Sequence, residues 1–196
     1  MARNNEQLSA LWDALFRVID KLDSAAIEYM ITGSVAGFIW GMNRFTQDID
    51  IVISIENIIP KTILNIFPKA LYYIAETSLT NTFSGKENII NIIELKNYIK
   101  FDLISLERTD FGTVKFRRKQ EIHFSGNKIW VISPEDLVLS KLNWLKLGES
   151  EQQRNDIIAI VDLIDLDIKY ITDWAKKLGT FKLWQDLSTR HPKPTK

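Results

Sequence analysis

The chain has 196 residues, a length that fits one domain or one domain with a helical appendix. Its 25 basic and 25 acidic side chains give a formal net charge of zero, which excludes a strong overall field toward nucleic acid or an acidic membrane. Cysteine is absent and histidine occurs only at His123 and His191, which excludes disulfides, thiol nucleophiles and the usual zinc sites. The N-terminus is amphipathic and no stretch is apolar enough to cross a bilayer, so we expect a soluble cytoplasmic protein.

The first part of the sequence predicts helices and strands in alternation. Apolar residues recur at helical spacing over residues 8–19 and predict an amphipathic helix. Residues 29–32 predict a short strand, and Ser34 is expected to cap a helix over residues 35–42. Residues 47–55 alternate isoleucine with mainly polar side chains, which is the period of a strand.

The middle of the chain is predicted to be rich in hairpins. Pro60 favours a short helix that ends before Pro68, and the polar stretch 78–87 is typical of a mobile loop. Two hairpins are predicted, one joining residues 88–95 to 98–106 and one joining 121–124 to 128–132 around Gly126 and Asn127.

The last third of the sequence is predicted to be helical, with helices over residues 134–147, 153–166 and 168–178. We therefore expect an α/β (α+β) fold, a mixed sheet flanked by helices and followed by a C-terminal helical region. The expected boundaries are 1–133 for the α/β core, 134–190 for the helical region packed on it, and 191–196 for a flexible tail.

The first candidate for chemistry is the pair Asp48 and Asp50. Residues i and i+2 of a strand project to one face, so the two carboxylates lie side by side, roughly 6–7 Å apart at their backbone. They repel each other unless a cation lies between them, and Mg²⁺ is the natural occupant. The isoleucines on the other face fix the register of the strand. The same alternation also fits the solvated face of a two-sided strand.

Gly33 and Ser34 precede this strand and begin the predicted helix. Backbone N–H groups at a helix start bind anions, Gly33 permits close approach, and the Ser34 hydroxyl can donate to a phosphate oxygen. The same two residues also fit a simple helix cap.

A third carboxylate is expected if two metal ions flank an in-line phosphoryl displacement. Asp102 supplies it on the predicted strand YIKFDLIS, where it shares a face with Lys100. It also fits a solvent-facing aspartate on an edge strand. Asp110 is the alternative, although the Phe-Gly that follows it suggests a turn.

With these residues in view, the segment GSVAGFIWGMNRFTQDIDIVI resembles the nucleotidyltransferase superfamily that includes DNA polymerase beta, whose signature is Gly-Ser followed by Asp-x-Asp. Arg44 and Thr46, spaced before the aspartates, look like the bacterial branch with AbiEii-type toxins, MenT toxins and small antibiotic nucleotidyltransferases. The resemblance spans residues 29–163. It implies a nucleotidyltransferase-type sheet and roles for Arg44 and Thr46 in bracing the loop or contacting phosphate, although a turn arginine also fits simple solvation.

The resemblance extends to SPEDLVLSKLNWLKLGESEQQRNDIIAIVDL, which is similar to the Lys-bearing and Arg/Asp-bearing helices of that branch. Lys141 is the only charge in the middle of an apolar stripe, so it needs an anionic partner or must extend past the stripe to water. The resemblance suggests nucleotide phosphates, Asp50 or Asp102 as that partner. Arg154 and Asp156 begin the next helix, where Asp156 can accept from Lys141 or compensate the helix dipole.

The resemblance implies an enzyme that binds Mg²⁺ or Mn²⁺ through Asp48, Asp50 and Asp102 and transfers NMP from an NTP such as ATP. The expected nucleotide-binding residues are Gly33, Ser34, Arg44, Thr46, Lys141 and Asp156, and Lys141 is also expected to act in catalysis with the three aspartates. The acceptor stays open among a tRNA 3′ end, a hydroxylated drug and a protein hydroxyl.

The basic cluster at 115–119, KFRRK, fits either an RNA-binding surface or a solvated loop. The resemblance also implies a possible antitoxin partner. A degenerate binding module and a nucleotide sensor are the non-enzymatic alternatives.

Overall fold

The computed structural model describes residues 2–43, 48–148 and 150–189. Its helices lie mostly at the two ends of the chain, and the strands lie between them. Within the described ranges the helices are α1 Ala2–Ser24, α2 Gly33–Ile39, α3 Pro60–Ile66, α4 Glu76–Phe83, α5 Asp110–Arg117, α6 Pro134–Leu147, α7 Glu151–Leu163, α8 Ile168–Leu178 and α9 Phe181–Thr189.

The strands form one mixed sheet of seven members, counted over the same described ranges. They are β1 Tyr29–Ile31, β2 Asp48–Ile53, β3 Tyr72–Ile74, β4 Ile89–Glu94, β5 Ile99–Ser105, β6 Gln120–Phe124 and β7 Asn127–Val131. The order across the sheet is β3-β4-β5-β2-β1-β7-β6, with β2 parallel to β5 and antiparallel to β1. The predicted fold class, a mixed sheet flanked by helices, is confirmed.

The two faces of the sheet differ in chemistry because the strands alternate apolar and polar side chains. Ile49, Ile51 and Ile53 of β2 are fully buried in the core. The long helix α1 is tied to this side of the sheet by the ion pair between Arg17 and the buried Glu94 of β4, 2.7 Å. The aspartates of β2 therefore lie on the opposite face.

The sequence analysis predicted a mobile loop over the polar stretch 78–87. This prediction is wrong over most of the stretch, because α4 occupies Glu76–Phe83. Ser78 and Thr80 donate their hydroxyls to backbone carbonyls of Ala75 and Glu76 within the same turn, which accommodates polar side chains in a helix. Leu79 is buried against the sheet. The sequence prediction missed this helix because six of its eight residues are polar.

Two predicted helix starts also need correction. Thr32, not Ser34, holds the N-cap position of α2, and its side chain makes no capping hydrogen bond. Ser34 is therefore the second residue of the helix. Asp110 does not belong to a turn, since it begins α5, and Thr109 caps that helix by accepting from the Gly112 N–H at 2.9 Å.

Both predicted hairpins are confirmed, since β4 pairs with β5 and β6 pairs with β7, each antiparallel. The second turn is centred on Ser125 and Gly126, both at positive φ, rather than on Gly126 and Asn127.

The predicted C-terminal helices are confirmed as α6, α7 and α8, and α9 was missed. The boundary at residue 133 stays a prediction, and residues 190–196 lie outside the described part. Among the described helices, none has both the length and the apolar character needed to span a lipid bilayer.

Candidate active site

A row of polar side chains crosses three neighbouring strands. In the sheet register Asp50 of β2 lies opposite Asp102 of β5, and Asp102 lies opposite Asn91 of β4. Adjacent strands are separated by about 4.8 Å, so residues in register on one face are direct neighbours. The sheet therefore brings two of the three predicted carboxylates together, although they are 52 positions apart in the chain.

Asp102 is held from both sides. Asn91 Nδ2 donates to Asp102 Oδ1 at 2.7 Å, and Lys100 Nζ donates to Oδ2 at 2.8 Å. Lys100 is two residues earlier on the same strand, and Asp102 is mostly buried. The sequence analysis did not predict Asn91 as a site residue. The alternation of β4 places it on the polar face, and the pairing of β4 with β5 then places it beside Asp102.

Asp50 is more deeply placed than Asp48, which is exposed at the start of β2. Burial, followed by the charges of Asp102 and Asp48, raises the pKa of Asp50 from 3.8 to about 6, against the opposing influence of Lys100 and Lys141. Like charges crowded in a partly dry site favour the uptake of a proton or a cation. This arrangement is typical of a site that a positively charged ligand completes.

Gly33 lets the start of α2 lie against Asp50. A Cβ at Gly33 would overlap Asp50 Oδ2, and Gly33 has φ of +65°, a backbone conformation that strains other residues. The backbone at this position is further fixed by the Thr32 N–H, which donates to the Asp50 carbonyl at 2.9 Å. The first N–H groups of α2 are therefore held next to the carboxylates.

Lys141 is 3% exposed on α6, as the apolar stripe around it required. Its ammonium donates to Asp156 Oδ2 at 2.7 Å and to Gln153 Oε1 at 3.0 Å, both on α7. Of the predicted anionic partners, Asp156 is thus the ion-pair partner, and the Lys141 charge also lowers the pKa of Asp50. The lysine neither extends to water nor stands alone.

A cavity of about 290 Å³ joins these groups. It lies between α2, the polar face of β2 and β5, and the helices α6 and α7. Its lining residues are Thr32, Gly33, Ser34, Asp50, Ile104, Leu137, Ser140, Lys141, Trp144 and Gln153. The predicted Gly33, Ser34, Asp50 and Lys141 therefore share one cavity. Ser140, Trp144 and Gln153 were not predicted, although Ser140 and Trp144 fall on the same helical stripe as Lys141.

A larger cavity of about 810 Å³ lies past the carboxyl ends of β2 and β5. Asp110, the alternative third carboxylate, lines this second cavity together with Glu56 and Glu107. Because Asp50 and Asp102 lie before the ends of these parallel strands, Asp110 is separated from them along the sheet. Asp102, not Asp110, is the third carboxylate on the aspartate face.

The basic cluster 115–119 is largely engaged in ion pairs within the chain. Lys115 pairs with Glu107, Arg118 with Asp136 and Glu135, and Lys119 with Glu28, at distances from 2.9 to 3.5 Å. These contacts neutralise three of its four cationic groups. The RNA-binding interpretation of this cluster stays a prediction that the ion pairs do not favour.

Two of the remaining predicted residues fall in a gap of the described structure. Arg44 and Thr46 lie outside the described residues, so their predicted roles stay untested. Arg154 is half-buried in the first turn of α7, two positions before Asp156. Asp156 itself is buried, which makes it an ion-pair residue rather than a surface charge that compensates the helix dipole.

No protein-family model matches the chain, and no curated protein sequence matches it. Solved structures do match its fold. An antigenic nucleotidyltransferase-like protein from Paracoccidioides brasiliensis aligns with a TM-score of 0.56 at 17% identity, over 91% of this chain and 92% of that one.

Two antibiotic-modifying enzymes also match. The lincosamide antibiotic adenylyltransferase LnuA, solved with lincomycin bound, aligns with a TM-score of 0.53 at 15% identity, over 76% of this chain and 96% of LnuA. ANT(2″)-Ia, solved in complex with adenylyl-2″-tobramycin, aligns with a TM-score of 0.52 at 10% identity, over 91% and 97% of the two chains. The chain therefore has the fold shared by these nucleotidyltransferases.

Proposed function

We propose that the chain is a metal-dependent nucleotidyltransferase that moves an NMP unit from an NTP to an acceptor hydroxyl and releases pyrophosphate. The observation that supports this proposal is one cavity bounded by the start of α2, Asp50 and the buried Lys141, with Asp102 in register beside Asp50. A helix start and an ammonium bind phosphate oxygens, while the paired carboxylates require a cation.

The residues present fit a hard divalent ion. Asp48, Asp50 and Asp102 offer oxygen ligands, and the pKa of Asp50 is raised by burial first and then by the charges of Asp102 and Asp48. Over the described ranges, no three His, Cys, Asp or Glu side chains come close enough to form a metal site by themselves. Mg²⁺ commonly binds through one or two carboxylates together with substrate phosphates, so the nucleotide would complete the ligand set.

Each part of the site has a separate task in the proposed transfer. Mg²⁺ or Mn²⁺, when bound, supplies positive charge to the phosphates in the transition state. The first N–H groups of α2 and the Ser34 hydroxyl orient the phosphate chain. Lys141, held by Asp156, offsets charge that develops on the pyrophosphate as the bond from the α-phosphorus to its bridging oxygen breaks and the bond to the acceptor oxygen forms.

We propose that the acceptor hydroxyl belongs to a small molecule rather than to a tRNA 3′ end. The structural neighbours bound to lincomycin and to an adenylylated tobramycin support a small acceptor. The ion pairs that the cluster 115–119 makes with acidic residues elsewhere in the chain offset much of its charge, which weakens the case for an RNA acceptor. Membership of the AbiEii and MenT branch, and an antitoxin partner, stay predictions.

The test incubates the protein with each of four labelled NTPs, Mg²⁺ and one acceptor class at a time: hydroxylated antibiotics, total RNA or a protein extract. We expect pyrophosphate release and label transfer with wild type and with Asp110→Asn, which changes a carboxylate outside the site. Asp50→Asn should give neither. NTP binding without release across all acceptors would indicate a binding module or sensor and would contradict the transferase.

A further inference from the structure

One face of α6 lines the cavity. Leu137, Ser140, Lys141 and Trp144 follow the spacing i, i+3, i+4 and i+7, which places them in a single stripe on the helix. Lys141 lies next to Asp50, and Trp144 is about one helical turn, roughly 5 Å, farther along the axis. The stripe therefore continues beyond the phosphate-binding groups toward the solvent.

Trp144 is 64% exposed although it lines the cavity. A tryptophan at the mouth of the cavity offers a flat aromatic face to a ligand that enters there. Leu147, three residues beyond Trp144 at the end of the same helix, is 79% exposed and does not line the cavity. Exposure alone does not distinguish the two side chains, but the position of Trp144 at the cavity does.

Ser140 carries the second observation. Its Oγ is buried and, within the described part of the chain, makes no hydrogen bond. A serine inside a helix ordinarily donates to a carbonyl of the preceding turn or points to water. A buried hydroxyl without a partner is costly, and rotation of the Ser140 side chain toward the cavity would let a polar group of a bound ligand satisfy it.

The volume of the cavity indicates how much of a nucleotide it can enclose. At about 290 Å³ it lies just below the range of roughly 300–1,000 Å³ that small-molecule pockets occupy, so it encloses part of an NTP and leaves the rest at the mouth. The start of α2 and Lys141 hold the phosphate end inside. The nucleoside end then extends from Lys141 along α6 to Trp144, and Ser140, one turn before Trp144 on the same stripe, lies beside this path.

We propose that Trp144 stacks on the base of the donor nucleotide and that the Ser140 hydroxyl hydrogen-bonds to its nucleoside. This assignment rests on the proposed nucleotidyltransferase function and identifies the part of the site that recognises the donor. Aromatic stacking tolerates any base, because every base has a π face, so Trp144 sets affinity for nucleosides in general.

The experiment measures equilibrium binding of the four NTPs and of inorganic tripolyphosphate by calorimetry, with Mg²⁺ and without acceptor. Trp144→Ala should weaken each NTP that wild type binds by roughly 5- to 150-fold and leave tripolyphosphate unchanged. Trp144→Phe should retain most of the affinity. Leu147→Ala, the matched control on the same helix, should bind every ligand as wild type does.

Ser140→Ala provides a second measurement. It should weaken NTP binding roughly 2- to 10-fold, with tripolyphosphate unchanged and the free protein at least as stable as wild type.

If Trp144→Ala binds NTPs as wild type does, Trp144 does not stack on the base. If it loses affinity for tripolyphosphate as much as for NTPs, Trp144 does not act on the base either. Both results overturn the assignment and leave the transferase proposal standing. Wild type that binds neither NTP nor tripolyphosphate overturns both.

Discussion

Two aspartates of this protein, one fully buried and one partly buried, have opposite surroundings. Asp136, fully buried at the start of α6, accepts hydrogen bonds from Ser133 Oγ at 2.8 Å and Tyr170 OH at 2.7 Å, and pairs with Arg118 at 3.1 Å. Asp50 instead faces two further carboxylates, and its pKa is raised to about 6. One charge is compensated by the chain itself, and the other is left for something that binds.

This difference separates a structural acid from a candidate functional one. Asp136 fixes the start of α6, with Ser133 as the N-cap, and so fixes the direction in which Lys141 projects. Asp50 lowers the stability of the free protein, because its ionised form lies in a partly dry, acidic site. Residues that cost stability without a compensating contact cluster at functional sites.

The largest expected effect is on catalysis. Asp50→Asn should lower the rate of nucleotidyl transfer by about 10³-fold or more, because the substitution removes one ligand of the cation that offsets phosphate charge. The measurement is pyrophosphate release at saturating NTP. Asp136→Asn, assayed at a temperature where it is folded, should retain transfer within about 10-fold, since Asp136 acts only through the placement of α6. Equal losses of transfer rate in the two variants would show that Asp50 and Asp136 do not differ in role.

The second prediction concerns the buried ion pair between Lys141 and Asp156. Lys141→Met leaves Asp156 buried without its partner and should cost about 3–5 kcal/mol of unfolding free energy. The double substitution Lys141→Met with Asp156→Leu should recover most of that loss, because it removes both charges. Transfer should stay low in both variants. Urea denaturation and the transferase assay measure the two effects, and a double variant that regains activity would show that Lys141 has no role beyond packing.

Asp136→Asn should destabilise the protein by about 3 kcal/mol, because Arg118 loses a charged acceptor and one buried hydroxyl loses its partner. For a domain of this size that corresponds to a fall in Tm of about 6–12 °C. Thermal unfolding followed by circular dichroism measures it. Asp110→Asn, at a helix start on the other cavity, is the control and should shift Tm by far less.

The smallest expected effect is the pH dependence of stability that Asp50 causes. Because the folded pKa of Asp50 lies near 6 and its ordinary value is 3.8, the folded protein binds more protons than the unfolded chain between these values. Its stability therefore falls as pH rises through that window. Asp50→Asn removes this cost and should be more stable than wild type by about 2 kcal/mol at pH 8 without Mg²⁺, allowing for partial solvent screening.

Denaturant unfolding at several pH values tests this prediction. The advantage of the variant should shrink toward pH 4, and Mg²⁺ with NTP should stabilise wild type alone. A difference between the two proteins that does not change from pH 4 to pH 8 would show that Asp50 is not the titrating group.

Local patterns in the sequence predicted much of this site. The alternation of β2 assigned Asp48 and Asp50 to one face, and the apolar stripe of α6 singled out Lys141 as a residue that either has an anionic partner or extends to water. These features depend only on neighbours along one element. For Gly33 the sequence predicted a close approach of a phosphate, and the structure places the Asp50 carboxylate against it.

Features that depend on how distant elements meet could not be predicted in the same way. The sequence did not show that β2 and β5 are parallel neighbours, or that Asn91 completes the row beside Asp102. It offered several partners for Lys141, and only the packing of α6 against α7 selected Asp156. The helix α4 was hidden because its stability comes from contacts with the sheet rather than from its own apolar content.

The alignment of Asp50 with Asp102 has a consequence for how this protein can change. Their spacing is a repeat of the backbone hydrogen-bond ladder, so it is as rigid as the sheet and independent of the loops around it. Deleting one residue within β2 would turn isoleucines to the cavity and aspartates to the core. The carboxylates of the proposed site and the hydrophobic core would be displaced together, whereas the surrounding loops can change without moving either.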